Sequence, residues 1–198
     1  MQKQIIFIHG GNSFESYEEY LNDLKNSNPS IDWFAYRKKW IDNLHKKLSG
    51  EYQIFAPHMP NKQNADYEEW KIWFEKMIPF INNEVIMIGH SLGGIFLAKY
   101  LSENTYPKKI KKLILVAPPH SETPEIGSFK LGEDLSNISA QCKDIHLFQS
   151  TDDPVVPANE AQLYKKDLPE INLHIFEDRG HFNQESFPEI IKLIKAMD

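Results

Sequence analysis

The chain has 198 residues, 41% of them hydrophobic, enough for one α/β domain with a full core over residues 1–198. Its 22 Lys and Arg against 28 Asp and Glu leave a net charge of -6, which argues against nucleic acid as a partner. Its apolar runs are far shorter than the roughly 20 residues that cross a bilayer, and its one cysteine, Cys142, excludes an intramolecular disulfide and fits a reducing cytoplasm.

The residues after Met1 lead straight into Ile5–Ile8, a first core strand rather than a signal peptide. Residues 12–32 exceed an ordinary loop, and Tyr17, Tyr20, Leu21 and Leu24 at i, i+3, i+4 and i+7 predict a short amphipathic helix there. Trp33, Tyr36, Trp40, Leu44 and Leu48 share one face of a helix predicted from Trp33 to Leu48. A second strand, Tyr52–Ala56, precedes a helix with Tyr67, Trp70, Phe74, Met77 and Ile81 on one face and an Asp66–Glu69 capping box at its start. The third strand, Val85–Gly89, runs into a helical stretch at Ile95–Leu101, and the fourth is Leu113–Ala117. Residues 118–144 are rich in Pro, Ser and Glu and carry no clear period. Strands Ile145–Gln149 and Leu173–Phe176 follow, then a last helix from Ser186, with Pro188 in its first turn and Phe187, Ile190, Ile191 and Ile194 as its apolar face. Continuous rather than alternating apolar strands imply a sheet covered on both faces. Alternating strands and helices imply a doubly wound, six-stranded parallel sheet, expected in the order 2-1-3-4-5-6. The lysine clusters at 108–109, 111–112 and 165–166 read as solvated surface.

The chemistry is concentrated in Gly89-His90-Ser91-Leu92-Gly93, between the third strand and the next helix. G-x-S-x-G in that context is a nucleophile elbow, in which a serine on a sharp, strained turn is exposed above the sheet. The positions two before and two after the serine must be small, and Gly94 and Ala98 let the helix lie close to the strands. A serine hydroxyl needs a base, and the base an orienting acid, in the order Ser, Asp or Glu, His. Asp152-Asp153-Pro154-Val155-Val156-Pro157 follows the fifth strand, and Gly180-His181-Phe182 follows the sixth. An Asp followed after two residues by Val-Pro selects Asp153, leaving Asp152 as a turn residue that bonds its own backbone. Of eight histidines, His181 alone follows the last strand; His9 and His90 more naturally shape their loops, and His174 lies within a strand. An oxyanion requires backbone N–H groups: Leu92, at a helix N-terminus, and Gly11 of His9-Gly10-Gly11-Asn12, with Asn12 as the alternative. No metal-ligand spacing and no cofactor motif occurs.

These motifs, with Pro57-His58-Met59-Pro60-Asn61 after the second strand and Trp70 in the next helix, resemble the small α/β-hydrolases typified by retinoblastoma-binding protein 9 and its bacterial relatives. The resemblance implies a compact α/β-hydrolase fold without a large lid, and Ser91, Asp153 and His181 as the triad. It leaves the substrate pocket open, because residues 12–32 are longer than that family's usual connection. The expectation is hydrolysis of small carboxylic esters, the partner being a small-molecule acyl substrate. A thioesterase, a peptidase, or a protein-binding module on a hydrolase fold are the alternatives. A dehalogenase would carry Asp where Ser91 stands.

Overall fold

Six apolar runs become six parallel strands of one sheet: β1 (Lys3–Ile8), β2 (Tyr52–Phe55), β3 (Glu84–His90), β4 (Lys109–Val116), β5 (Ile145–Ser150) and β6 (Asn172–Phe176). Their order is β2-β1-β3-β4-β5-β6, the expected one. The computed structural model describes residues 2–31, 34–121, 123–124 and 126–196.

Seven α-helices lie among the described residues: α1 (Tyr17–Asn26), α2 (Trp40–Leu48), α3 (Tyr67–Met77), α4 (Leu92–Glu103), α5 (Ser136–Gln141), α6 (Glu160–Asp167) and α7 (Pro188–Lys195). Because strand side chains alternate between faces, β1 sends Ile6 and Ile8 to one side and Ile5 and Phe7 to the other. The first side packs on Trp70 and Phe74 of α3, Phe96 and Leu97 of α4, Ile138 of α5 and Tyr164 of α6. The second side packs on Trp40, Leu44 and Leu48 of α2 and Ile190 and Ile194 of α7. Burying each such side chain stabilises the fold by about 1.5–3 kcal/mol, which is why both faces must be covered.

Several element boundaries differ from the sequence reading; α3, for example, ends at Met77, before Ile81. Helix α2 begins at Trp40; Tyr36 is 82% exposed, and Trp33 lies outside the described residues. Helix α7 begins at Pro188, two residues after Ser186. Strand β4 starts at Lys109, because Lys112 is accommodated inside the structure by ion pairing with Asp144 at 2.5 Å. Asp66 does cap α3, accepting from Glu68 N–H and Glu69 N–H, while the Glu69 side chain accepts from Asn61 instead of closing the box. Helix α1 forms as its spacing predicts but buries none of its residues. No helix among the described residues is long and apolar enough to cross a membrane.

The strand order reverses between β1 and β3, and the crevice above that point is where open α/β sheets bind ligands. The loops after β1 and β3 meet there.

Candidate active site

Ser91 sits between β3 and α4 with φ 55° and ψ -125°, a conformation that costs a non-glycine residue on the order of 1–3 kcal/mol. Its surroundings hold it in place. Ser91 N–H donates to the Val116 carbonyl at the end of β4 (2.8 Å), and its own carbonyl accepts from Gly94 N–H (2.7 Å). The glycines of the elbow are required by contact distance. A Cβ on Gly89 would lie 2.3 Å from the Gly93 carbonyl oxygen, and one on Gly93 would lie 2.2 Å from that of Ile8. A Cβ on Gly94 would meet Pro118 at 2.9 Å, which is how closely the helix approaches the next loop.

The loops after β5 and β6, which carry the expected acid and base, meet. His181 Nδ1 lies 2.9 Å from Asp153 Oδ2 and 3.1 Å from Oδ1. The Asp153 side chain is fully inaccessible to solvent, and its Oδ1 also accepts the N–H groups of Val155 (2.8 Å) and Val156 (3.1 Å). The Asp152 carboxylate makes no hydrogen bond to the imidazole among the described residues. It accepts from Ser150 Oγ and Gly180 N–H, so beyond its own turn it joins two loops.

His90, adjacent to Ser91, donates Nε2–H to the His181 carbonyl at 2.9 Å, and the two rings stand 5.0 Å apart. Burial, and then the nearby His181, push its pKa down to about 3, so it stays neutral while it makes this bond. The structure brings Asp153 and His181 together, whereas among the described residues the Ser91 hydroxyl makes no hydrogen bond. Serine-to-base hydrogen bonds are often long before substrate arrives.

The loop after β1 is organised by His9. Met59 N–H donates to His9 Nε2 (2.9 Å), so Nδ1 carries the proton and donates to the Gly10 carbonyl (2.7 Å). Burial lowers the His9 pKa and favours this neutral form. Trp70 supports the same segment by donating Nε1–H to the Pro60 carbonyl (2.8 Å). The Gly10 carbonyl and Gly11 N–H belong to one planar trans peptide and point in opposite directions, so holding the first aims the second. Asn12 N–H is committed to the Lys62 carbonyl (2.8 Å). A Cβ on Gly11 would fall 2.5 Å from that same carbonyl oxygen. Neither Gly11 N–H nor Leu92 N–H has an acceptor among the described residues, and both residues line, with Ser91, Pro119, Ile126 and Val156, a cavity of about 130 Å³. Among the described residues no group of three His, Cys, Asp or Glu side chains is placed to hold a metal ion.

Residues 34–195 match the model of the Serine hydrolase family. The chain belongs to that family. Serine hydrolase RBBP9 of Rattus norvegicus is 29% identical to it over 170 residues, covering 83% of this chain and 86% of the relative. Among solved structures, the ydeN gene product of B. subtilis superposes with a TM-score of 0.77 at 20% identity, over 98% of each chain. A YdeN-like hydrolase from Pectobacterium atrosepticum gives 0.68 at 18% identity, over 98% of this chain and 90% of that one. These structural likenesses carry the α/β-hydrolase fold. The serine hydrolase match begins after α1, so that helix lies outside the part shared with the family model.

Proposed function

We propose that this serine hydrolase cleaves small carboxylic esters through Ser91, Asp153 and His181, by way of an acyl-enzyme. The observation that carries the reading is the Asp153–His181 pair at 2.9 Å, on the loops after β5 and β6, with His90 tying the His181 backbone to the strained turn at Ser91. In this mechanism Asp153 holds the proton on His181 Nδ1, which leaves Nε2 free to take the Ser91 proton. Oγ attacks the ester carbonyl carbon. The oxyanion accepts from Leu92 N–H, at the positive end of α4, and from Gly11 N–H. Collapse expels the alkoxide, which takes the proton from His181. Water, deprotonated by His181, then attacks the acyl-enzyme, and Ser91 leaves with the proton.

The cavity beside Ser91 supports a short acyl group. It measures about 130 Å³ and is lined by Gly11, Ser91 and Leu92 together with Pro119, Ile126 and Val156. The test is fluorophosphonate labelling together with a panel of p-nitrophenyl esters of graded length, a thioester and an amide. We expect labelling at Ser91 and turnover that falls as the acyl chain lengthens. Ser91→Ala should lose labelling and about six orders of magnitude in kcat, because the three residues act as a unit. Ester turnover by Ser91→Ala near that of the wild type would end the reading.

A further inference from the structure

Two aspartates follow β5, and only Asp153 touches the His181 ring. We propose that Asp152 is a positioning residue for the base: it fixes the backbone of the loop that carries His181, as Asp153 fixes the ring. The proposal rests on the serine hydrolase mechanism above.

The geometry is a clip between neighbouring loops. Asp152 Oδ1 accepts from Gly180 N–H at 2.8 Å and from Ser150 Oγ–H at 2.5 Å. The Ser150 oxygen, itself buried, accepts from Arg179 N–H at 3.0 Å. One step earlier, Thr151 N–H donates to the Phe176 carbonyl at 2.8 Å, and on the far side His90 holds the His181 carbonyl. Residues 179, 180 and 181 are therefore each held by a side chain from outside their own loop.

Phe182, buried against Phe176 and Phe187, anchors the far end of the loop, but packing does not restrain Gly180 itself. Gly180 has φ +49°, and a Cβ there would find nothing within 4 Å. Glycine is the residue whose backbone is least restricted, and it directly precedes the base. Hydrogen bonds must fix its conformation, and Asp152 accepts the one from its N–H. The Ser150 hydroxyl, and then Gly180 N–H, hold the Asp152 carboxyl below the usual carboxylate range, so it remains a full acceptor at neutral pH.

Three proteins test this: wild type, Asp152→Ala and Asp152→Asn, assayed for kcat and KM on p-nitrophenyl acetate and for the rate of fluorophosphonate labelling, with thermal unfolding alongside. Displacing a catalytic group by about 1 Å costs on the order of 100-fold. Asp152→Ala should therefore lose about 10- to 100-fold in kcat with KM changed less than about twofold, and label correspondingly slowly. Asp152→Asn keeps an oxygen able to accept both bonds and should recover most of the rate. Wild-type kcat in Asp152→Ala overturns the proposal. So does an Asn variant as slow as Ala, which assigns the effect to charge. If Asp152→Ala does not fold, Ser150→Ala removes the other half of the clip and should lower kcat at constant KM; unchanged kcat there overturns the proposal equally. A wild-type protein that neither labels nor hydrolyses esters defeats the underlying mechanism and this proposal with it. A wild type that labels, beside an Asp152→Ala protein that labels as fast, defeats this proposal alone.

Discussion

Replacing Asp153 by Asn tests the acid assignment at the level of one proton. Asp153 Oδ1 accepts two backbone N–H groups, from Val155 and Val156, while Oδ2 makes the shorter contact with His181 Nδ1. An asparagine must keep its oxygen toward the two backbone donors, since turning the amide would set its NH₂ against both. Its NH₂ then occupies the Oδ2 position and donates to His181 Nδ1. The imidazole is forced to carry its proton on Nε2, where it cannot accept one from Ser91. The equivalent change in serine proteases costs about 10,000-fold in kcat, which is about 5.4 kcal/mol of transition-state stabilisation. Because the Val155 and Val156 bonds survive, the melting temperature should change little. The assay is kcat for p-nitrophenyl acetate beside thermal unfolding. An Asn variant that retains more than about a tenth of the wild-type kcat refutes the tautomer argument on which that 10,000-fold figure depends.

Two further outcomes concern the scaffold. Gly93→Ala should lower the unfolding temperature and abolish ester turnover, because its Cβ would lie 2.2 Å and 2.6 Å from the carbonyl oxygens of Ile8 and His9, main-chain atoms that cannot step aside. Overpacking of this kind costs about 1–3 kcal/mol or more. Gly50→Ala, with nothing within 4 Å, is the matched control and should change neither quantity. Acid should destabilise the fold well above the carboxylate range. Burial is the leading cause of the lowered pKa values of His9, His90, His146 and His174. A histidine whose folded pKa is depressed contributes stability that is complete above the unfolded value of 6.5 and is lost as pH falls toward the folded value. For His90, at about 3 when folded, the loss between neutral pH and pH 5 comes to about 2 kcal/mol. Urea midpoints at pH 7.5 and 5.0 measure it, and equal midpoints would contradict the buried neutral state.

The strands were legible because burial on both faces demands unbroken apolar runs, and such runs admit few other readings. Strand β4 extended further than its apolar portion because Lys112 reaches Asp144 and lies 3.3 Å from His146, a partnership made across strands and invisible along the chain. The apolar spacing at Trp33, Tyr36 and Trp40 suggested extra helical turns; Tyr36 is exposed, so spacing alone did not anchor the helix ahead of Trp40. Helix α1 shows the same separation of periodicity from burial, with Tyr17 66% exposed. At the site, Gly89, Ser91 and Gly93 announced themselves because the turn excludes nearly every other residue. His174 was placed in a strand by its neighbours, but its contact with His146 Nδ1 at 2.9 Å and its stacking on Phe148 depend on strand register. The bonds of Asp152 and His90 likewise join residues 28 and 91 positions apart. The Asn12 amide, too, is committed to a carbonyl 50 residues away.

The outward march of strands from β3 to β6 also orders events during synthesis. Ser91 leaves the ribosome roughly 90 residues ahead of its proposed proton acceptor. Until β6 docks on β5, a nascent chain carries a hydroxyl with no imidazole to activate it. On the proposed mechanism, reactivity at Ser91 waits on β6, the edge strand whose following loop carries His181.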